Sequence, residues 1–189
     1  ASIKKMIVGE GIVSVQNLIS SSASGVEEIV LPSSVKVMQN CFNNLNRLKG
    51  ITIPDGVTKV GALFGGSEIT GIIFPDSVTE ISGTNYTTWD GPFAGCTKLE
   101  SVTIPCNITQ TYVFKNCTAL KTVSFKEGVT TMADYTFSNC TALTTVTVRE
   151  GATSIGSRAF SGCTALTTVN LPKSLTTLDA QAFYGCTAL

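Results

Sequence analysis

The sequence predicts an α/β solenoid: one parallel β-sheet of about eight short strands, one per repeat, with short helical turns on the opposite, convex side. Two observations carry this. The first is a repeat that runs to the last residue: FAGCTKLESVTI from Phe93, FKNCTALKTVSF from Phe114, FSNCTALTTVTV from Phe137, FSGCTALTTVNL from Phe160 and FYGCTAL from Phe183. A fixed period near 23 residues marks units that bury their apolar faces by stacking. The second is a pair of apolar slots, separated by one residue, in every unit. That is strand periodicity, with both side chains on one face.

The register extends through the whole chain. The Leu slot of Cys-x-x-Leu falls at Ile3, Val26, Leu48, Ile69, Leu99, Leu120, Leu143, Leu166 and Leu189, in steps of 23, 22, 21, 30, 21, 23, 23 and 23. Three residues later come Met6, Ile29, Ile51, Ile72, Val102, Val123, Val146 and Val169. Two further on come Val8, Leu31, Ile53, Phe74, Ile104, Phe125, Val148 and Leu171. These pairs are the expected strands.

After each strand a turn is expected, opened by Pro32, Pro54, Pro75, Pro105 or Pro172, or carried by Gly11, Gly128 or Gly151. Proline ends a ladder and glycine permits positive φ. Two more apolar slots follow, as in Val129 and Met132 or Leu175 and Leu178. The unit closes on segments such as GSRAFSGC and DAQAFYGC. These read as single helical turns with glycine at the exit. Their Phe residues (42, 64, 93, 114, 137, 160 and 183) are expected to plug the core opposite the strands.

This pattern resembles the BspA-like, or Treponema pallidum type, leucine-rich-repeat family, whose unit is close to C-x-x-L-x-x-V-x-I-P-x-x-V-x-x-I-x-x-x-A-F. Residues 163–186, CTALTTVNLPKSLTTLDAQAFYGC, match it nearly position for position. The last four units match best, and the first three are degenerate. The resemblance covers essentially all of residues 1–189. It implies a leucine-rich-repeat right-handed superhelix and a bacterial or protist surface or secreted protein, extracellular or at the cell surface. Its implied work is adhesion or host interaction, with a host matrix or surface protein as partner. The chain stops within a repeat, so the natural protein is expected to continue or to be truncated here.

Composition narrows the function classes. Formal net charge is zero and charged residues make up 14%. There is no basic stripe for nucleic acid or an anionic membrane, and no apolar run long enough to span a bilayer. The chain contains no histidine, which removes the commonest general base. No phosphate-binding glycine loop or G-x-S-x-G elbow is present. The carboxylates Asp55, Asp76, Asp90, Asp134 and Asp179 read as solvated turn residues. The expectation is no enzyme activity, no cofactor and no metal.

Of seven cysteines, Cys96, Cys117, Cys140, Cys163 and Cys186 share one slot and form a column along the stack. A metal or redox array is one reading. The favoured one is a small buried apolar side chain repeated because the slot repeats, since no C-x-x-C pair exists. Cys41 and Cys106 lie outside the column and are expected to be free thiols.

Two regions are candidates for a partner. The step of 30 places about seven extra residues at 82–92, in a loop carrying Tyr86, Trp89 and Asp90. Trp and Tyr suit an interface anchor, or Trp89 packs onto the solenoid. The other region is the outward face of the strands, where Ile73, Thr103, Ser124 and Thr147 project. That face is a docking patch, or it reflects β propensity alone. The leading reading is a non-catalytic protein-interaction or adhesion module. A structural spacer within a longer surface protein is the alternative, and a glycan- or lattice-binding surface using the Thr columns is a third.

Overall fold

A computed structural model describes residues 3–18, 25–42, 45–61, 64–82 and 91–189. Among these residues fifteen short strands follow one another: β1 (Lys5–Ile7), β2 (Ser14–Gln16), β3 (Glu28–Val30), β4 (Val37–Gln39), β5 (Gly50–Ile51), β6 (Lys59–Gly61), β7 (Gly71–Ile72), β8 (Glu80–Ile81), β9 (Ser101–Ile104), β10 (Thr122–Phe125), β11 (Thr131–Met132), β12 (Thr145–Thr147), β13 (Ser154–Ile155), β14 (Thr168–Asn170) and β15 (Thr177–Leu178). All pairings are parallel, and each joins a strand to its equivalent one turn away. The architecture is a parallel β-solenoid.

The strands of the apolar pairs form the expected series. Among the described residues they fall into sheets β1-β3-β5 and β7-β9-β10-β12-β14. Register keeps like slots level: Val102, Val123, Val146 and Val169 are successive partners. The series is divided because β5 and β7 are not hydrogen-bonded neighbours. Both begin with glycine, Gly50 and Gly71, which weakens a strand and leaves no side chain to pack.

The single sheet of the sequence reading is corrected to two series. The second apolar slots also lie on strands, in sheets β2-β4-β6-β8 and β11-β13-β15. Between these two sheets stands the turn shortened to a 21-residue step, where the one pairing is the isolated bridge Ile108–Met132. Across that short turn Lys126 reaches back two turns to the Asp76 carboxylate, and its ammonium donates to the Phe74 carbonyl at 3.3 Å.

The helical turns are also corrected: no helix occurs among the described residues. Backbone donors at the Phe segments point along the stack instead of along the segment. Tyr112 N donates to Asp134 O (3.2 Å), Phe114 N to Thr136 O (2.8 Å) and Asn116 N to Ser138 O (2.8 Å). One turn on, Tyr135, Phe137 and Asn139 repeat this to Ser157, Ala159 and Ser161. An α-helix would have spent such donors on carbonyls four residues back. Here a turn-to-turn ladder replaces it, with left-handed backbone on both sides of Phe114, Phe137, Phe160 and Phe183. Two residues after the Phe stand Gly66, Gly95, Asn116, Asn139, Gly162 and Gly185, all with positive φ. That is the glycine exit expected from the sequence, with asparagine as its usual substitute. Two residues before the Phe stand Tyr112, Tyr135, Arg158 and Gln181, at φ of 62°, 56°, 53° and 61°. Each costs about 1–2 kcal/mol as a non-glycine residue; at Tyr112, Tyr135 and Arg158 a turn-to-turn hydrogen bond offsets it.

The core is one column of stacked apolar side chains. Leu120, Val123, Phe125, Phe137, Leu143, Val146, Phe160 and Leu166 are buried as expected, and Val169 partly so. Down its centre runs an aromatic ladder, Phe42–Phe64–Phe93–Phe114–Phe137–Phe160–Phe183, with centroid steps of 5.9, 5.2, 5.1, 5.4, 5.4 and 5.4 Å. Stacking at the repeat distance lets each ring cover both faces of its neighbours.

Candidate functional site: the outward sheet face

In a stack whose inward positions all pack, residues free to do other work lie on outward faces. Along the first strand series two outward columns flank the buried central slot. The leading column runs Lys5, Glu28, Gly50, Gly71, Ser101, Thr122, Thr145 and Thr168; the trailing one runs Ile7, Val30, Thr52, Ile73, Thr103, Ser124, Thr147 and Asn170. Pleating dictates this alternation.

The face divides into two chemistries. From Ser101 onward it is small and hydroxylic, with Asn170 Nδ2 donating to Thr147 Oγ1 at 3.2 Å. Thr103 pairs in register with Ser124. The N-terminal half is apolar and charged. Ile73 is 85% exposed and Ile7 69%. Ion pairs between successive turns edge it: Lys5–Glu28 at 2.9 Å, Lys49–Glu27 at 2.9 Å and Lys4–Glu27 at 3.4 Å. The hydrogen bond from Lys49, then the charge of Lys4, holds the Glu27 carboxyl below its ordinary range. Between these edges lies a groove of about 1300 Å³, lined among others by Val30, Gly50, Thr52, Asp55, Gly71 and Ile73. It exists because the outward positions of β5 and β7 carry no side chain. A Cβ built on Gly50 or Gly71 meets nothing within 4 Å.

Of the residues singled out from the sequence, Ile73, Thr103, Ser124 and Thr147 lie in one outward column of this face, all exposed. Tyr86, Trp89 and Asp90 lie outside the described residues. The groove itself was missed. Its signal was the glycine at the leading outward slot in two consecutive units, which strand propensity alone does not favour.

The cysteine column has a function that the apolar reading left out. Cys117, Cys140 and Cys163 are fully buried. Each Sγ donates to the carbonyl of the Phe one turn back: Cys96 to Phe64 (3.2 Å), Cys117 to Phe93 (3.2 Å), Cys140 to Phe114 (3.3 Å), Cys163 to Phe137 (3.3 Å) and Cys186 to Phe160 (3.2 Å). The same slot holds Ser67, with its Oγ 3.7 Å from Cys96 Sγ. Burial raises these thiols: Cys96 to about 11, Cys163 to about 12, and Cys117 and Cys140 well above the ordinary range. A nucleophile or metal ligand needs the thiolate, so the arrangement suits a structural thiol. Cys41, outside the column, is likewise buried and raised to about 12, and Cys106 is half-buried and raised by the same cause.

The carboxylates are occupied in turns. Asp134 Oδ1 accepts from Ser157 N at 2.8 Å, and Lys126 holds the exposed Asp76 carboxyl below its usual range. Asp55 and Asp179 are exposed, and Asp90 lies outside the described residues. No helix among the described residues is long and apolar enough to cross a membrane.

Parallel strands of two to four residues, a buried aromatic ladder and variable outward columns define a repeat scaffold of the leucine-rich-repeat class, a fold that is typically non-catalytic and consistent with a protein-interaction module. The chain belongs to the BspA type leucine-rich repeat family, whose model matches it in six copies over residues 1–88 and 85–189. Solved structures share the fold. A leucine-rich repeat protein from Bacteroides ovatus is 24% identical with a TM-score of 0.62, covering 98% of this chain and 59% of its own. The T. pallidum leucine-rich repeat protein is 21% identical with a TM-score of 0.60, covering 98% and 77%. A leucine-rich cell surface protein from Faecalibacterium prausnitzii is 24% identical with a TM-score of 0.55, covering 99% and 58%. The chain thus spans under two thirds of the first and third of these relatives. No curated protein matches it.

Proposed function

We propose that this chain is a non-catalytic protein-interaction module that docks a partner on the N-terminal half of the outward sheet face. The observation that carries the reading is the groove over Gly50 and Gly71, walled by Val30 and Ile73. It offers an apolar slot without first moving a side chain. Asp55 at its edge carries no ion pair among the described residues. The partner is therefore an extended protein segment that seats an apolar side chain above the glycines with a lysine or arginine beside it. The hydroxylic columns through Thr103, Ser124 and Thr147 continue the contact. A place outside the cell, in adhesion, accompanies this proposal. Family membership and the likeness to the F. prausnitzii cell surface protein support it.

The test is selection of a displayed random-peptide library on the wild-type chain, with binding of the winners then measured on variants. Gly71→Trp fills the groove where a side chain meets no obstacle, so it leaves Tm unchanged and abolishes binding; Ile73→Asp weakens it. Trp89→Ala separates the two candidate regions. Winners indifferent to Gly71→Trp and Ile73→Asp but lost on Trp89→Ala would move the interface to the 82–92 insertion.

A further inference from the structure

A second concavity lies away from the sheet face, over the Phe segments, and is about 450 Å³ in volume. Its floor is the slot immediately after each Phe. In two consecutive turns that slot holds a small residue, Ser138 then Ser161; in the turns on either side it holds Lys115 and Tyr184. The long side chains close the ends, so the trough is two turns long. One wall is the slot two before the Phe, where the rings of Tyr112 and Tyr135 stack at 4.8 Å. Arg158 continues that wall, with its Cζ 5.8 Å from the Tyr135 ring centre. The other wall is Asn139, held by donation from its Nδ2 to Asn116 Oδ1 at 3.0 Å.

Three features point to a ligand. Ser138 is only 7% exposed, and its hydroxyl has no hydrogen-bond partner among the described residues, although it lines the trough. Buried hydroxyls are normally satisfied. Arg158 lines the trough and, among the described residues, no carboxylate does. The guanidinium is fixed but not exhausted: Nε donates to Gln181 Oε1 at 2.6 Å and Nη1 to the Tyr135 hydroxyl at 3.3 Å, leaving N–H groups of its five-donor fork for an anion. Tyr184, 64% exposed at one end, presents a phenol face. The volume is in the range of small-ligand sites, with few convergent polar groups.

We propose that this trough binds an acidic sugar, one or two pyranose units of a uronate- or sulfate-bearing glycan. The ring hydroxyls meet Ser138, Ser161 and Asn139, and the anionic group meets the remaining guanidinium donors of Arg158. The C–H face of a sugar ring lies against Tyr184. An inorganic anion could accept from the hydroxyl floor but would leave the aromatic end unused. This site is separate from the sheet-face groove and from the Thr columns, so it stands or falls independently of the docking proposed above.

The test is calorimetric titration of the folded chain with di-galacturonic acid, a glucuronate-containing disaccharide and a sulfated disaccharide. The methyl ester of di-galacturonic acid and inorganic phosphate serve as controls. At least one acidic disaccharide should bind below about 1 mM. Its neutral ester should bind at least roughly tenfold more weakly, since the charged contact is lost. Tyr184→Ala and Ser138→Ala should each weaken binding several-fold with Tm nearly unchanged for Tyr184→Ala, and Gly71→Trp should leave it intact. Arg158→Gln should abolish it, with circular dichroism confirming the fold. No binding across the acidic sugars, or phosphate binding as tightly as the best sugar, would overturn the proposal. So would binding that ignores Tyr184→Ala.

Discussion

Phe137 sits at the most informative rung of the aromatic ladder. It is fully buried. Its ring stacks on Phe114 and on Phe160 at 5.4 Å each, tilted by 6° and 12°, and takes Phe125 edge-on at 6.4 Å. Replacing a core Phe by Ala costs about 3–5 kcal/mol, and aromatic pairs add about 0.5–1.5 kcal/mol each beyond area. With three such contacts, Phe137→Ala belongs near ~5 kcal/mol. Phe183 is half-buried with a single stacked neighbour, Phe160 at 5.4 Å, so Phe183→Ala belongs near ~1–2 kcal/mol on the same scale. Phe137→Leu retains most of the volume and removes only ring–ring contact, and should cost ~1.5–3 kcal/mol. Urea unfolding followed by far-ultraviolet circular dichroism measures all three. In a stack held by nearest-neighbour interfaces, Phe137→Ala should also split or broaden the transition, since it severs contact between the two halves. If Phe137→Ala and Phe183→Ala fall within about 1 kcal/mol of each other, or Phe137→Leu matches wild type, the ladder is not the spine of this fold.

The raised thiols make stability alkali-sensitive. Cys41, Cys96 and Cys163 keep their protons to about 12, 11 and 12 in the folded chain, whereas the unfolded chain releases them near 9.0. Folding stability is therefore full below the unfolded value and falls as pH rises above it through the folded values, so the urea midpoint should drop between about pH 9 and about pH 11; a flat profile would contradict the burial. Cys140→Ser should cost about 1 kcal/mol or less, because a hydroxyl can donate to Phe114 O as the thiol does and Ser67 already occupies this slot. Cys140→Ala forfeits the donor and part of the volume and should cost ~1–3 kcal/mol, so equal thermal shifts for the two would show that the S–H···O bond is worthless. Lys126→Ala removes the clamp to Asp76 and Phe74; its effect should shrink in high salt, as expected of an exposed pair.

Much of the fold was legible because the stacking period is written into side chains. Phe-x-x-Cys-x-x-Leu fixed the register, and the apolar pairs at one-residue spacing located the first strand series. The second series escaped because strands such as Thr131–Met132 and Ser154–Ile155 bury one side chain each, too few to show an alternation. The helical turns were misread because short segments closed by glycine, such as GSRAFSGC and DAQAFYGC, also suit a single helical turn. What decides against a helix is positive φ at Tyr135 and Arg158, residue types that give no warning of it. The sheet-face site was half legible. Ile73 and the Thr column could be placed outward by counting, but the groove depends on the side chains absent at Gly50 and Gly71. The trough over Ser138 and Ser161 needed coordinates, since its walls come from three different slots of four successive turns.

The discontinuities in the two strand series do not coincide. The first series parts between β5 and β7, where β6 and β8 remain paired and Phe64 meets Phe93 at 5.2 Å. The second parts one turn later, after β8, where β7 and β9 remain paired and Phe93 meets Phe114 at 5.1 Å. Lys126 straddles that later gap from two turns away. The arrangement is that of staggered joints in brickwork. A tensile load along the axis would meet an intact course at both seams, so a fracture begun at one would be arrested at the next.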